Sequence, residues 1–319
     1  MQAITYYRFG TAGPGEVRVA LAYSGVNPSD VKSRAGTRPG VTKPAFPLIV
    51  PHSDGAGEII DVGAGVDPAR LHQKVWIWNG QWQRSHGTAA TEITLPAEQA
   101  VPLPEGVSAQ TGATLGIPGL TAAHAVFGAG DIAGKTLLIQ GGGGSVGFLA
   151  VQLAHWGGAK VIATCSQRHA ARVAQAGAET VLDYSAPDLT AQVLSATAGQ
   201  PVDAIVAVEF GRNVEIDAEV IAPNGRIAAY GSAAEMAPTL PFGPLLFKAA
   251  TIDILLIYLL PKAPRDAAIA KLHAALRAGA LHSPIDAVFS LAQTAAAHEA
   301  VEAAGRSGAT LIDCASVAQ

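Results

Sequence analysis

The stretch LLIQGGGGSVGFLAVQLA, residues 137–154, places four consecutive glycines between two apolar runs. Glycine loses more backbone entropy on folding than any other residue, so four in a row indicate a backbone that needs unusual conformations or close approach. Gly142, Gly144 and Gly147 form a G-x-G-x-x-G pattern after a predicted strand and at the start of a predicted helix. This context predicts a dinucleotide-binding turn, with Gly142 for the tight turn, Gly144 for the pyrophosphate and Gly147 for helix–strand packing. The alternative is a glycine-rich loop without a ligand.

The end of the next predicted strand bears on which dinucleotide binds. NAD-binding chains carry an acidic residue there that contacts the adenosine ribose, whereas a basic residue accommodates the 2′-phosphate of NADPH. Here VIATC is followed by Ser166, Gln167 and Arg168, with Arg172 one helical turn further on. Because a hydroxyl and a guanidinium suit a phosphate, we predict NADPH as the cofactor. The alternative is that both arginines lie on the exposed face of a helix.

The hydrophobic periodicity divides the 319 residues into three stretches. Up to about residue 110, short β-type runs alternate with Gly/Pro turns, which predicts an antiparallel β-rich domain. Apolar strands then alternate with helical periods, which is typical of βαβ units and a parallel sheet. After TIDILLIYLL, residues 251–260, one helical period precedes a β-type tail. We expect this tail to rejoin the first domain, with the α/β domain inserted between its two parts.

Composition and charge disfavour several classes of function. Charged residues make up 14% of the chain and the net charge is −4, so no basic surface for nucleic acid or an anionic membrane is expected. The apolar run at residues 251–260 is too short to cross a bilayer, and the first 26 residues lack the pattern of a secretion signal. Cys165 and Cys314 lie in apolar strand-like runs, which favours a reducing compartment. We therefore expect a cytoplasmic protein.

Seven segments, in order along nearly the full chain, resemble one known family. They are SGVNPSDVKSRAG (24–36), PHSDGAGEIIDVG (51–63), GIPGLTAAHAV (116–126), GGGGSVGFLAVQLA (141–154), AGAETVLDY (176–184), NGRIAAYGS (224–232) and AAAHEAVEAAGRSGATL (295–311). This is similar to the zinc-independent quinone oxidoreductases, the zeta-crystallin-like branch of the medium-chain dehydrogenase/reductase superfamily. The resemblance implies an α/β fold, with a doubly wound Rossmann sheet inserted in a β-rich GroES-like catalytic domain. The expected divisions are residues 1–112, residues 113–250, and residues 251–319 for the edge strand and the return to the catalytic domain.

The resemblance also implies site residues in an interdomain cleft. The implied cofactor-binding residues are Asn27, Thr121, Gly142, Gly144, Ser145, Val146, Gly147, Ser166, Arg168, Tyr184, Gly231 and Ser232, with the backbone around Leu255–Leu256. Asn27 and Asp30 would lie near the nicotinamide; the alternatives are a turn held by Asn27 before Pro28 and a helix cap formed by Asp30. For Thr121 the alternative is a helix-terminal hydroxyl, and for Tyr184 a half-buried ring.

Some residues depart from the family pattern. His52 replaces a glycine often found before SD, and Lys32 stands where some relatives carry a tyrosine. The segment WIWNGQWQRSHGTAA, residues 76–90, adds Trp82 and His86 as candidates to border the cleft, although ordinary packing is the alternative. We expect no indispensable acid–base residue. The candidates at the reacting end are Asn27, Asp30, His52, Trp82 and His86.

The chain is expected to hold no metal. Asn27 occupies the position of a zinc-ligating cysteine in the related alcohol dehydrogenases, and two cysteines cannot make a four-thiolate site. Without a Lewis acid, the predicted chemistry is NADPH-dependent reduction of an electron-poor acceptor, namely a quinone. The alternatives are ene reduction of an enone or acrylate, and a non-catalytic NADPH-binding protein of the crystallin type.

The apolar run Thr251–Leu260 predicts an edge strand of the parallel sheet. Proteins seldom expose such an edge, so we expect pairing with a second copy across a two-fold axis, in the homodimer that the resemblance also implies. The alternative is that the following helix and tail cover the edge within one chain.

Overall fold

The computed structural model describes residues 11–37, 41, 43–303 and 305–315. The chain ends included in the predicted domain boundaries, residues 1–10 and 316–319, lie outside these residues. The strands are β1 (Glu16–Val26), β2 (Asp54–Val62), β3 (Lys74–Ile77), β4 (Glu92–Pro96), β5 (Ala100–Pro102), β6 (Thr136–Ile139), β7 (Lys160–Cys165), β8 (Thr180–Asp183), β9 (Val202–Ala207), β10 (Ile221–Ala229), β11 (Thr251–Ile254), β12 (Ile285–Ser290) and β13 (Ala309–Asp313). The α-helices are α1 (Pro28–Ala35), α2 (Ala109–Gly112), α3 (Leu120–Phe127), α4 (Ser145–Trp156), α5 (Ala170–Gln175), α6 (Leu189–Ala196), α7 (Phe210–Val220), α8 (Phe242–Phe247), α9 (Lys262–Arg277) and α10 (Thr294–Glu302).

The chain folds into two compact units. The first contains residues up to Ile117 and from Pro284 onward, and the second contains Pro118–Ser283. These bounds differ from the divisions expected after residues 112 and 250. The second unit continues beyond β11 because α9 packs against α3 and α4.

The first unit is built on a seven-stranded sheet. Its strands run in the order β12-β13-β1-β2-β3-β5, with β4 also paired to β1. Val17, Val19 and Leu21 alternate with more exposed neighbours along β1, as expected for an antiparallel strand with one face on a core. These side chains pack with Ile59 and Ile93 in the core of the unit.

The second unit contains a six-stranded parallel sheet in the order β11-β10-β9-β6-β7-β8. This is the doubly wound order of a Rossmann fold, and the strand order reverses between β6 and β9. Leu137, Leu138 and Ile139 of β6 are at most 1% exposed, because helices cover both faces of a parallel sheet. At about 1.5–3 kcal/mol for each buried side chain, this strand contributes strongly to the core.

Helix α4 begins directly after the glycine run and is buried from Gly147 to Ala154. A helix that is apolar on all sides requires neighbours on all sides, and α4 packs on β6, β7, α3 and α9. Within the described residues, no helix has the length and apolar character needed to cross a bilayer.

The close packing at Gly147 yields a prediction for Gly147→Ala. A Cβ at this position would lie 2.2 Å from the Gly141 carbonyl oxygen and 3.0 Å from the Cα of Gly142. The backbone must shift, and this cost exceeds the gain of about 1 kcal/mol from alanine in a helix. We expect the melting temperature to fall by about 5 °C.

The matched control is Gly243→Ala in α8, where a Cβ would meet no atom within 4 Å. We expect this control to melt at or slightly above the wild-type temperature. Equal effects of the two substitutions, measured by circular dichroism, would contradict the packing role of Gly147.

Candidate functional site

The glycine loop joins β6 to α4 at the carboxyl end of the parallel sheet. The left-handed backbone lies at Gly141, with φ +68°, one residue before the glycine that was predicted to make the turn. The amide of Gly144 donates to the Gly141 carbonyl oxygen at 2.9 Å, which closes the turn. Gly142 instead faces a packed interior, because a Cβ there would lie 3.2 Å from both Ala163 and Val173.

The loop leads into the first turn of α4, with Gly144 as the N-cap. The amide of Phe148 is the donor to the Gly144 carbonyl oxygen, at 2.8 Å. The amides of Ser145, Val146 and Gly147 precede it and belong to the turn that has no partner within a helix. Such amides and the helix dipole favour an anion, so this turn has the chemistry of a phosphate site.

Ser166 and Tyr184 come together at the next two strand ends. Cys165 of β7 pairs with Asp183 of β8, so the residues that follow these two are neighbours at one edge. The Tyr184 ring is 61% exposed rather than half-buried. Arg168 is also exposed, in the turn Gln167–His169 that directly follows Ser166. A residue with a hydroxyl, one with a guanidinium and one with a phenol therefore follow the ends of two paired strands, where the sequence predicts the 2′-phosphate.

The carboxylate nearest to this edge belongs to Asp183. Its Oδ1 accepts hydrogen bonds from the Ser185 hydroxyl at 2.6 Å and from the Ser185 amide at 2.9 Å. These two bonds hold the pKa of Asp183 below its ordinary value. Asp183 ends β8, whereas the acid of NAD-binding chains is expected after the second strand, which is β7 here.

Arg172 differs from Arg168 in its surroundings. Its guanidinium donates from Nη2 to the Gly143 carbonyl oxygen, and its Cζ lies 5.0 Å from the centre of the Phe148 ring. Arg172 is half-buried and faces the glycine loop, so the alternative that both arginines lie on an exposed helix face is wrong for this one.

The other residues predicted in the second unit lie in α3 and beyond β10. Thr121 is buried as the second residue of α3. Gly231 accepts a hydrogen bond from the Phe210 amide at 2.9 Å, and the Ser232 hydroxyl accepts one from the Gly211 amide at 2.8 Å. Gly231 and Ser232 follow the carboxyl end of β10, the side of an open α/β sheet on which ligands bind.

A buried polar cluster that sequence reasoning missed lies between the ends of β6 and β9. Gln140 donates from Nε2 to Oδ1 of Asp217 at 2.6 Å. Asn213 donates from Nδ2 to Oε1 of Gln140 at 3.1 Å and to the carbonyl oxygen of Val208 at 3.0 Å. Asp217 is 0% exposed, and its Oδ2 has no hydrogen-bond partner among the described residues. Burial raises the pKa of Asp217 to about 8.

In the first unit, Asn27 and Asp30 meet a buried carboxyl group that was not predicted. Asn27 donates from Nδ2 to Oδ2 of Asp54 at 2.8 Å, and the Ile117 amide donates to both oxygens of Asp54 at 2.9 Å. Burial raises the pKa of Asp54 well above its ordinary value, against the effect of these hydrogen bonds. Asp30 accepts from the Asn27 amide at 2.8 Å, so it does cap α1. Asp54 stands in the quoted motif PHSDGAG, which was the available signal for it.

His52 is completely buried and has a positive φ of 77°. Its Nδ1 lies 2.9 Å from the Ser24 hydroxyl, and its Nε2 lies 2.8 Å from Nε2 of His298. The Ser24 hydroxyl also lies 2.8 Å from that of Thr88, which donates to the Asp54 carbonyl oxygen at 2.5 Å.

These contacts assign a direction to the chain. The Thr88 hydroxyl uses its one proton on Asp54, so it accepts from Ser24, and Ser24 accepts from Nδ1–H of His52. His52 Nε2 is then an acceptor and His298 Nε2–H a donor. Burial lowers the pKa of His52 to about 3, which agrees with this neutral tautomer. The structure therefore places His52 in a hydrogen-bonded chain in which both of its nitrogens are used.

Trp82 and His86 lie in the segment that runs beside residues 50–53. Val50 and His86 form a β-bridge, and the Thr88 amide donates to the His52 carbonyl oxygen at 3.0 Å. Both side chains are half-buried, and Nδ1 of His86 lies 2.8 Å from the Ser85 hydroxyl. Among the described residues, no group of three or more His, Cys, Asp or Glu side chains is arranged to hold a metal ion.

The buried Asp217 yields a prediction on pH. Its folded-state pKa of about 8 exceeds the ordinary 3.8, so the folded state binds the extra proton and stability falls as pH rises between these values. Asp217→Asn removes this dependence. We expect the free energy of unfolding of the variant to rise relative to that of the wild type by about 1 kcal/mol for each pH unit between pH 5 and 8.

The control for this experiment is Asp183→Asn, whose parent carboxyl has a pKa below the ordinary value. The difference in melting temperature between this variant and the wild type should stay constant above pH 5. The measurement is the melting temperature as a function of pH. Parallel curves for Asp217→Asn and the wild type would contradict a buried, proton-binding carboxyl.

The comparisons with known proteins agree with this architecture. Residues 13–105 match the alcohol dehydrogenase GroES-like domain and residues 145–276 match the zinc-binding dehydrogenase family. A chloroplast envelope quinone oxidoreductase homolog of Arabidopsis thaliana is 33% identical over 71% of this chain and 74% of that protein. A 2-haloacrylate reductase of a Burkholderia species is 29% identical over 92% of this chain and 89% of that protein.

Among solved structures, an alcohol dehydrogenase superfamily protein from Novosphingobium aromaticivorans superposes with a TM-score of 0.85 at 28% identity, covering 97% of this chain and 94% of that chain. The GroES-like first unit, the Rossmann sheet of the second and these matches lead to one conclusion. The chain is an oxidoreductase that belongs to the medium-chain dehydrogenase/reductase superfamily, among the relatives of the quinone oxidoreductases.

Proposed function

We propose that the protein is an NADPH-dependent, zinc-independent quinone oxidoreductase. The observation that carries the choice of NADPH is the edge formed by Ser166, Arg168 and Tyr184 beyond β7 and β8. A phosphate there would meet a permanently charged guanidinium and two hydroxyl groups. Residues 166–178, which directly follow β7, contain no carboxylate, so the acid that usually contacts NAD at this position is missing from them.

The residues of the glycine loop fit the rest of a dinucleotide. The amides of Ser145, Val146 and Gly147 would hold the pyrophosphate, and Gly144 is exposed, which leaves the backbone open to it. When bound, the nicotinamide supplies a hydride to an electron-poor acceptor. The protein then has to orient the acceptor for this transfer.

The first unit would supply the polar contacts to the acceptor. We propose that the side-chain amide of Asn27 makes one of these contacts. Asp54 holds this side chain in place through the 2.8 Å hydrogen bond. The Asp30 carboxylate accepts a hydrogen bond from the backbone amide of Asn27, and His52 is hydrogen-bonded to Ser24 and His298. Because these groups already have partners, we propose that the proton added to the product comes from water rather than from one of them.

Zinc independence is part of the proposal. A catalytic zinc takes three protein ligands of the His, Cys or carboxylate type. Two nitrogens of the His52–His298 pair face each other at 2.8 Å and are joined by a hydrogen bond. Their neighbours in the chain, Ser24 and Thr88, are hydroxyl groups and not the third ligand that a zinc requires.

The test follows the oxidation of NADPH and NADH with 1,4-benzoquinone, before and after dialysis against a chelator. We expect turnover with NADPH, at least tenfold lower kcat/KM with NADH, and no loss after chelation. Arg168→Ala should raise the KM for NADPH about tenfold and leave that for NADH within twofold, because a charge-assisted hydrogen bond is lost. Arg277→Ala, at the exposed end of α9, is the matched control.

Each part of the proposal has its own contrary result. Equal turnover with NADH would contradict the phosphate site, and loss of activity on chelation would contradict zinc independence. Saturable NADPH binding without turnover of any acceptor would favour the non-catalytic, crystallin-like alternative.

The second candidate function is NADPH-dependent reduction of an activated C=C bond. The specific observation in its favour is the similarity to the 2-haloacrylate reductase over 92% of this chain. Measuring 2-chloroacrylate and an enone beside the quinone separates the two candidates. A higher kcat/KM for either unsaturated acceptor would replace the quinone as the substrate class.

We also propose that two copies associate through β11. This strand forms one edge of the six-stranded sheet, and Ile254 is 79% exposed there. Leu256, Leu259 and Phe247 are also exposed, so α9 and the described part of the tail leave these side chains uncovered within one chain. The cytoplasmic location predicted from the cysteines remains part of the proposal.

Sedimentation velocity tests the association. We expect a dimer at micromolar concentration and a monomer for Ile254→Asp, because a charge on a buried apolar interface costs several kcal/mol. Leu71→Asp, at an exposed position of the first unit, is the control that should remain dimeric. A monomeric wild type would contradict the proposal.

A further inference from the structure

The peptide group between Gly143 and Gly144 is held on both sides. Its N–H, which belongs to Gly144, donates to the Gly141 carbonyl oxygen at 2.9 Å. Its C=O, which belongs to Gly143, accepts from Nη2 of Arg172. This peptide directly precedes the first turn of α4, so its orientation fixes the direction in which the helix starts.

Arg172, which lies in α5, also contacts an aromatic side chain of α4. Its guanidinium carbon lies 5.0 Å from the centre of the Phe148 ring, which is 4% exposed. The Phe148 ring in turn packs against the His282 ring. The two ring centres are 5.5 Å apart and the ring planes are nearly perpendicular. Cation–π stacking leaves the planar guanidinium little freedom, so less entropy is lost in its hydrogen bond to the loop.

The loop side of this contact is closely packed as well. A Cβ on Gly143 would lie 2.4 Å from Nδ1 of His169, so the bare backbone at this position lets the turn after β7 approach the glycine loop. His169 is the N-cap of α5 and Arg172 lies within that helix, so α5 brings both side chains to Gly143. Ser145 and Val146, which are half-buried, follow this peptide in the first turn of α4.

We infer that Arg172 is a positioning residue for the dinucleotide pyrophosphate: it orients the Gly143–Gly144 peptide, and through it the first-turn amides of α4. The inference rests on the proposed binding of a dinucleotide by this loop. It differs from the role of Arg168, which would contact the 2′-phosphate that only NADPH carries. Arg172 therefore sets the affinity for NADPH and NADH alike, whereas Arg168 sets their ratio.

The experiment is calorimetric titration of wild type, R172A, R172M and R172K with NADPH and with NADH, with R168A as the matched variant. R172M keeps an unbranched side chain against Phe148 but removes the donor to Gly143. We expect R172A and R172M to weaken both dinucleotides by about tenfold, the effect of one charge-assisted hydrogen bond, with the NADPH/NADH ratio unchanged. R172K, which keeps a cationic donor, should stay within about threefold of the wild type.

A kinetic readout separates positioning from general damage to the fold. In R172M the KM for the dinucleotide should rise about tenfold while kcat changes by less than twofold, because Arg172 does not touch the reacting atoms. R168A should weaken NADPH binding alone. If R172A does not fold, the comparison of R172M with R172K decides the question.

Three results would overturn the inference. Wild-type affinity of R172M for both dinucleotides would show that the bond to Gly143 has no effect on binding. A loss confined to NADPH would show that Arg172 acts on the 2′-phosphate, like Arg168. A wild type that binds neither dinucleotide would overturn the proposed function and this inference together.

Discussion

The nucleotide end of the second unit depends on the carbonyl oxygen of Gly141. This one atom accepts the hydrogen bond that closes the turn, and it lies so near Gly147 that a Cβ there would be 2.2 Å away. The chain can therefore leave β6, reverse within four residues and enter α4 while the helix still packs against the strand. The amide of Gly142 also donates to the Thr164 carbonyl oxygen at 2.8 Å, which ties the loop to β7. The first-turn amides remain available because other groups hold the loop in place.

Two buried polar clusters, one in each unit, differ in their hydrogen bonding. In the first, each proton in the chain from His298 Nε2 through His52, Ser24 and Thr88 has an acceptor, and the chain ends on the Asp54 backbone. The left-handed conformation of His52, of a kind that costs about 1–3 kcal/mol, persists because both ring nitrogens are bonded. In the second unit, Asp217 bonds through one oxygen, and its other oxygen has no hydrogen-bond partner in the described part of the chain. An ionised carboxylate in that place would be strongly destabilising, so the site favours the protonated form.

The sequence predicts the order of elements well, because periodicity and turn residues are local properties. The strand–glycine–helix pattern at 137–154 and the alternation of strands with helices appear where they were expected. Asp217, by contrast, has no local signal. It lies in VEIDAEV, where the pattern predicts that an acidic residue is an ordinary polar residue of an amphipathic helix. Only the pairing of β6 with β9 brings Gln140 to it, and that contact joins residues 77 positions apart.

The same limit explains the different outcomes for Arg168 and Arg172. From sequence the two are equivalent: both follow the second strand of the βαβ series, four residues apart, and both suit a phosphate. The turn Gln167–His169 leaves Arg168 in solvent, whereas α5 directs Arg172 toward Phe148 and the loop carbonyl. A guanidinium in water remains free to meet a ligand charge, but one bonded to a backbone carbonyl has its geometry fixed before any ligand arrives. Under the proposed function, the same chemical group would serve recognition at one position and preorganisation at the other, and the difference lies in what each side chain packs against.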